Sequence, residues 1–511
     1  MLSLLLAYVL TWVLVQQAQI YFIAKELRPK NRPLNILLLQ TSLVTLIFTS
    51  ALLVAYRPFL ACIITLAFFA IFLVVNQAKF KALNEPLVFS DIYLYLQVFT
   101  HPRLFLPFLN LPITLTAITI GLIFLYLAII FEPTLTVSSL ITSCIMFGII
   151  LILTCLIIKI AKNLNLNFHP AKDMKAFGFF NSLVIYFIQA SQKINLDHFK
   201  NFLEKQSPYK QPPQSPAEWP NLVVIQSESF FDPRQLSQSI RPEVLSFFDQ
   251  LRSTSTQNGK LQVPAWGANT LRSEYAFLSG IHNQNLSYYQ FNPYQFLQNS
   301  PSPSLASYLK SLGYRCICIH PNHAAFFKRD KVFPFMGFDE FIDITGFDSN
   351  QTAGPYISDQ AVAEKIQNLL KQQADKQPLF IFAITMENHG PLHLEKYTTT
   401  DVKDLYCSEP PKQSHDLTVY LKHLKNADRM LLSLTNTLKA RAETTWLCWY
   451  GDHIPSMPTV YQELNWQDGR SDYLIWNNKI TPTPPIKKEL SIEQLGLDLL
   501  ASAGLAVTNK S

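Results

Sequence analysis

Thr445–His453 reads T-W-L-C-W-Y-G-D-H, an apolar, aromatic-rich run closed by Gly451, Asp452 and His453. A run this short and this apolar fits a strand buried on both faces. The same texture recurs at Asn221–Gln226, Tyr314–His320, Leu379–Thr385 and Tyr473–Trp476. Between these runs, Ser304–Leu312, Ser358–Gln373 and Leu417–Ala440 carry helical spacing, and Ser491-Ile-Glu-Gln494 has the form of a capping box opening a last helix. Strands alternating with helices predict an α/β domain built on a mainly parallel sheet. Tyr397–Asp416 is polar and irregular and reads as a surface insertion.

In open sheets of this kind, ligands bind beyond the carboxyl ends of the strands. The first strand is followed by Ser227-Glu228-Ser229, and the second ends at His320-Pro-Asn-His323. The third leads into Met386-Glu387-Asn388-His389-Gly390, and the fourth into Gly451-Asp452-His453. One such residue at a strand end is commonly a cap or a hydrogen-bonded loop residue. Four consecutive strands delivering Glu, His or Asp to one edge point to a site. Neighbours on a strand face opposite ways, so Asp452 and His453 share a ligand only if the strand has ended, and Gly451 is read as the break.

Val263–Gly280, V-P-A-W-G-A-N-T-L-R-S-E-Y-A-F-L-S-G, adds Thr270 ahead of a helix-like run. A Thr in that place is ordinarily an N-cap. Together with Glu, Asp and His it completes a mixed oxygen and nitrogen ligand set that suits Mn²⁺, Zn²⁺ or Mg²⁺, with nitrogen favouring the first two. A hydroxyl on a divalent ion loses its proton more readily and becomes a nucleophile, which makes Thr270 a candidate for attack on phosphorus. Ser273 and Glu274 read as helix-start residues, Arg272 as a phosphate contact without an assigned partner, and Trp266 as packing.

Of the 511 residues, 49% are hydrophobic and only 15% charged, against roughly 25% charged in an average soluble protein. The deficit sits in the first 160 residues. Leu2–Ala24, Asn35–Tyr56, Pro58–Val75, Leu111–Phe131 and Leu135–Ile158 are each long enough and apolar enough to span a bilayer. The first, with Gln16, Gln17 and Gln19, doubles as an uncleaved signal anchor. Asn76–Asn110 is amphipathic and aromatic and is expected at the membrane interface. Residues 1–160 are therefore expected to form a five-span membrane domain. Residues 161–220 are a juxtamembrane connector, in which Met174–Lys205 rests partly on the bilayer and Gln206–Pro220 carries five prolines as a semi-rigid spacer. Residues 221–511 hold the α/β domain. The net charge of +6 is modest for this length and favours anionic lipid over nucleic acid as a partner. The seven cysteines imply no disulfide framework; Cys407 and Cys448 pair only if the fold brings them together.

The set S-E-S, N-T-x-x-S-E-Y, F-F-K-R-D, T-M-E-N-H and Y-G-D-H behind five spans resembles the lipoteichoic acid synthase family, which includes the phosphoglycerol transferases that decorate periplasmic glucans, within the alkaline phosphatase and sulfatase superfamily. The resemblance implies an enzyme of the bacterial cell membrane that acts outside the cytoplasm, taking the glycerol phosphate head group from phosphatidylglycerol through a phospho-threonine and passing it to a glycan or polyglycerol phosphate acceptor. By position it implies Glu228, Thr270, Asp452 and His453 as metal ligands, Mn²⁺ first, with Thr270 also the nucleophile. It implies His320, Phe327, Arg329 and His389 as substrate-binding residues, Arg329 offering a bidentate fork to phosphate. Phe327 stands where the family commonly has Trp, Lys328 where a neutral Asn is usual, and Glu387 is a further departure that either orients His389 or meets a different substrate. A phosphoethanolamine transferase and a catalytically silent membrane scaffold are the alternatives. The C-x-P-x-R maturation motif of the sulfatases is missing from the sequence, which sets sulfate ester hydrolysis aside. Lys25, Arg28, Lys30 and Arg32 after the first span place that loop in the cytoplasm by charge bias, whereas the resemblance places the catalytic half outside.

Overall fold

The computed structural model describes residues 2–92, 111–135, 140–191, 196–210, 218–373, 377–480 and 484–506. It divides into two compact units, Met1–Ile194 and Asn195–Ser511.

The first unit contains the five expected long apolar helices, Leu2–Phe22, Leu34–Ala55, Pro58–Leu83, Leu111–Phe131 and Leu140–Lys162. All five are long and apolar enough to cross a membrane, and the chain is a multi-pass membrane protein. Uncharged side chains with every backbone group bonded inside the helix are what a hydrocarbon medium demands. The third helix continues past Val75 to Leu83, so the start of the expected interfacial stretch extends that helix; residues 93–110 of the stretch lie outside the described residues. Its first turn is capped by Glu132, whose two carboxylate oxygens accept the Phe59 and Leu60 N–H groups at 2.8 Å each. Its far end is tied down by Lys79, buried between Asp91 at 2.7 Å and Glu85 at 3.3 Å.

The expected connector is distributed between the two units. Pro170–Phe177 and Phe179–Ser191 are helices of the first unit, where Met174, Phe179, Phe180 and Leu183 pack with Val15, Leu43 and Phe69. An apolar face that a connector would lay on lipid is here covered by helices. Leu196–Gln206 is a helix of the second unit, with Phe199 stacked on Tyr289 at 3.6 Å between ring centroids. Within the Pro-rich stretch, Tyr209 is buried in the same core, and residues 211–217 lie outside the described ones.

The second unit is built on a nine-stranded sheet. Its strands are β1 (Asn221–Ser227), β2 (Gln257–Gln262), β3 (Arg315–Ile319), β4 (Glu340–Ile342), β7 (Leu379–Ile384), β8 (Thr445–Gly451), β9 (Ser471–Asn477), β10 (Ile486–Lys487) and β11 (Leu490–Ser491). Two more, β5 (Thr352–Ala353) and β6 (Tyr356–Ile357), pair by themselves. The order is β10-β2-β9-β8-β1-β7-β3-β4, with β11 on β2. β8, β1, β7, β3 and β4 are mutually parallel, and β9 runs antiparallel to both β8 and β2. The predicted mainly parallel α/β architecture holds. Alternate residues of β1 enter opposite cores, Leu222 and Val224 one, Val223 and Ile225 the other, as burial on both faces requires. The strands missed from sequence are short or polar; β2, Q-N-G-K-L-Q, carries no apolar run. Ser491 does stand at the N-cap of the last helix, Ile492–Ser502, but its side chain makes no cap bond, so the capping box is not formed.

Register positions the site. Ser227 pairs Gly451, Gln226 pairs Ile384, and Ile319 pairs Ala383. The carboxyl ends of β1, β3, β7 and β8 therefore finish at one level, and the residues after them meet there.

Candidate active site

β8 ends at Gly451, which frees Asp452 and His453 from strand alternation. Gly451 is needed for a different reason from the one expected. Its φ is not positive, and a Cβ there would collide with the carbonyl oxygen of Phe230, so the position demands close backbone approach.

Glu228, Asp452 and His453 are all buried, and one ligand atom from each lies within 4.8 Å of the others. Asp452 Oδ1 accepts the backbone N–H groups of Ser229 at 2.9 Å and His453 at 3.0 Å. Its Oδ2 is buried and has no hydrogen-bond partner among the described residues. Ser229, held at φ 56°, donates its hydroxyl to Glu228 Oε1 at 2.8 Å. His453 Nδ1 lies 3.0 Å from the Ile454 carbonyl, so Nδ1 carries the proton and Nε2 keeps its lone pair. That lone pair faces Asp452 Oδ2 at 3.2 Å, Glu228 Oε1 at 3.6 Å and Thr270 Oγ1 at 3.4 Å. Burial, and then the charge of Asp452, push the Glu228 carboxyl up to about 8. Lone pairs and like charges converging in a dry place are what a cation relieves. The donor set fits a divalent metal ion.

Thr270 is the first residue of the Thr270–Ser279 helix, whose N-cap is Asn269 at φ 69°. Thr270 is not the cap, and its hydroxyl, at the positive end of a helix dipole, lies 3.4 Å from His453 Nε2. Ser273, one turn on, donates to the Asp452 carbonyl at 2.6 Å and locks this helix to the end of β8.

His320 and His389 come to the same neighbourhood. His320 Nδ1 lies 3.2 Å from the Ile384 carbonyl and His389 Nδ1 lies 2.8 Å from the Gly390 carbonyl. Both rings are pushed down in pKa, first by burial; the Arg329 charge adds to the effect at His320, while Asp452 pulls the other way at His389. Each is a neutral imidazole with its Nε2 lone pair left over.

Arg329 departs from expectation. Its fork faces Glu274, Nε to Oε1 at 3.0 Å and Nη2 to Oε2 at 2.8 Å, and Tyr294 donates to Glu274 Oε1 at 2.7 Å. A bidentate grip on phosphate is therefore already taken by a carboxylate. Nη1, buried and without a hydrogen-bond partner among the described residues, is the arm that remains. The Arg329 charge is felt at both Glu228 and His320. Phe327 and Lys328 precede it at φ 58° and 62°, and the guanidinium lies 5.2 Å from the Phe327 ring centroid. Two adjacent non-glycine residues in the left-handed region are a costly backbone, a kind found concentrated at functional sites.

Glu274 is the residue that sequence reading misplaced as a helix-start residue. It lies one turn after Thr270 on the same helix face, a spacing that would have flagged it. Among the described residues, Glu387 makes no hydrogen bond to His389, Glu228, Asp452 or His453. It accepts from His423 Nδ1 at 3.1 Å, Asn426 Nδ2 at 2.5 Å and the Asp359 N–H at 2.8 Å. His423 Nε2 meets Glu395 Oε2 at 2.9 Å. Burial lowers the His423 pKa, but the two carboxylates outweigh it and raise it to about 9. A raised cation contributes stability that is complete below its ordinary value near 6.5 and disappears as pH rises through about 9, here on the order of 3 kcal/mol. His423→Gln is accordingly expected to lower Tm at pH 6 and to flatten the fall in Tm between pH 6.5 and 9. A variant whose Tm still falls like the parent's over that range would contradict the assignment. Trp266 packs edge-on against Tyr461, as expected, and all seven cysteines are free, Cys407 and Cys448 included.

The sulfatase family model matches residues 220–505. The chain belongs to the sulfatase family. Among its relatives are the capsular polysaccharide biosynthesis protein RkpI of Rhizobium meliloti, 29% identical over 87% of this chain and 82% of that protein, and a putative cyclic beta-1,2-glucan modification protein of the same organism, 30% identical over 56% of this chain and 46% of that one. This chain thus aligns to less than half of the second relative. A lipoteichoic acid synthase of Staphylococcus saprophyticus matches at 26% over 28% of this chain and 21% of its own length. The integral membrane lipooligosaccharide phosphoethanolamine transferase A of Neisseria meningitidis covers 91% of this chain and 94% of its own, at 12% identity and a TM-score of 0.53. That likeness shows a shared layout of apolar helices followed by a sulfatase-like α/β domain.

Proposed function

We propose that this chain is a membrane-bound phosphotransferase that moves the glycerol phosphate head group of phosphatidylglycerol to a cell-envelope glycan or polyglycerol phosphate acceptor through a phospho-threonine at Thr270. The observation that carries the reading is the Thr270 hydroxyl, free of capping duty, at the start of a helix and 3.4 Å from His453, which clusters with the buried Glu228 and Asp452. Those three residues with Thr270 would hold a divalent ion, Mn²⁺ with Zn²⁺ or Mg²⁺ as substitutes, which supplies the positive charge that eases loss of a hydroxyl proton.

The remaining work falls to side chains. The helix N-terminus and Arg329 Nη1 draw the phosphate anion to the site. Thr270 Oγ attacks phosphorus, the bond to the diacylglycerol oxygen breaks, and the threonine proton ends on that oxygen. An acceptor hydroxyl then attacks the phospho-threonine, its proton passes to a neutral imidazole at Nε2, and as the bond between Thr270 Oγ and phosphorus breaks that proton is returned to Thr270 Oγ. His320 and His389, with Nδ1–H committed to backbone carbonyls, have Nε2 available as that base. Phe327 forms a wall beside Arg329. The relatives assigned to capsular polysaccharide and lipoteichoic acid synthesis support an envelope acceptor, and with it a catalytic half on the outer side of the cytoplasmic membrane.

The test is to give the detergent-solubilised chain labelled phosphatidylglycerol or phosphatidylethanolamine. Diacylglycerol is expected from the first alone. Release from the second alone would replace the donor, and release from neither would overturn the transferase reading.

A further inference from the structure

Between Glu387 and His389 stands Asn388, 1% exposed, whose amide Nδ2 and Oδ1 both lack a hydrogen-bond partner among the described residues. Its neighbours are accounted for. Glu387 is bonded to the His415–Lys439 helix through His423 and Asn426, and His389 to the Gly390 carbonyl and the Tyr356 hydroxyl. A buried carboxamide offers two donors and an acceptor, and leaving all of them unmade opposes folding. Such a group persists where something outside the fold uses it.

Its place says what that is. The loop that carries Asn388 is fastened to the proposed metal group: Thr385 N–H bonds the Gln226 carbonyl at 3.1 Å, and Thr385 Oγ1 accepts the Glu228 N–H at 3.0 Å. Three residues further on comes Asn388, followed by His389, whose ring senses the Asp452 charge. β7 ends level with β1 and β8, and Asn388 follows that end by four residues. A neutral amide with a donor and an acceptor side by side matches a phosphorylated alcohol, with Nδ2 for a phosphoryl oxygen and Oδ1 for a hydroxyl of the head group.

We infer that Asn388 is a substrate-contacting residue that binds the phosphoglycerol head group. The inference rests on the phosphotransfer reading for its ligand and on the orphaned amide for its site. It separates from a structural role because the two make opposite demands on stability. An amide that bonds within the fold is missed when it is removed; one held unpaired for a ligand is not.

The experiment uses the full chain in detergent with MnCl₂ supplied, comparing Asn388→Ala and Asn388→Leu with the parent. Tm is read first, then glycerol phosphate affinity by thermal-shift titration. The expected result is a Tm equal to or above the parent's, with glycerol phosphate bound about tenfold more weakly or worse. A Tm lowered by several degrees in both variants overturns the inference, as does unchanged affinity or a parent that binds no glycerol phosphate. A parent that binds glycerol phosphate yet releases no diacylglycerol from phosphatidylglycerol sinks the donor reading and leaves the Asn388 result standing.

Discussion

Thr270→Ala is expected to abolish head-group transfer, lowering kcat by at least about 10³-fold, the scale seen when a covalent nucleophile is deleted. Folding should survive. The hydroxyl caps nothing, and its hydrogen-bond contact is a long one, 3.4 Å to His453 Nε2. Metal binding should survive on Glu228, Asp452 and His453, the three proposed ligands that remain when Thr270 is removed. The informative comparison is therefore between turnover and everything else: Tm and metal content near the parent's, diacylglycerol release gone. Thr270→Ser keeps an oxygen with one methyl fewer and should retain part of the activity. Trapping gives a second readout, since labelled donor should leave acid-stable phosphorus on the parent at residue 270 and none on the Ala variant. Turnover in Thr270→Ala within tenfold of the parent would remove the covalent step, and with it the reason for treating this helix start as the centre of the site.

Why Thr270, Glu228, Asp452 and His453 were legible from sequence, and Glu274 was not, has a physical cause. Parallel strands with short apolar runs show their ends, and the sheet delivers whatever follows those ends to one edge. Reading Glu228, His320, His389, Asp452 and His453 needed only strand boundaries good to a residue or two. The five long helices were legible because bilayer thickness fixes their length. The partners of Arg329 depend on something else, the rotation of one helix against the Arg329 loop, which no local pattern encodes. An Arg beside a catalytic motif suggested a free fork for phosphate. The carboxylate that occupies the fork sits 55 residues away in the chain. Glu387 failed in the same way. Two residues before His389 in sequence, it bonds instead to His423, 36 residues on, on the long His415–Lys439 helix. β2 was missed because hydrogen-bond pairing to β9 on one side and β10 and β11 on the other, rather than an apolar run, makes it a strand.

The Glu274–Arg329 pair carries the second large effect. Both side chains are almost fully enclosed, 0% and 1% exposed, so Glu274→Ala leaves a guanidinium buried with no counter-charge and strips Tyr294 of its acceptor. Breaking a pair of this kind costs about 3–5 kcal/mol, and Tm should fall by on the order of 5–10 °C. A loss of activity in that variant alone would say little, because a damaged fold also loses activity. The triple variant Glu274→Leu, Arg329→Met, Tyr294→Phe removes every charge and polar hydrogen of the cluster at similar volume. Buried ion pairs replaced in this way are commonly as stable as the original, so most of the lost Tm should return. Activity should not return with it, since Arg329 Nη1, the one arm left unbonded by Glu274, is gone. A Tm in Glu274→Ala equal to the parent's would mean the pair is not formed. A triple variant that regains both stability and turnover would mean that Arg329 holds the fold together and has no part in binding phosphate.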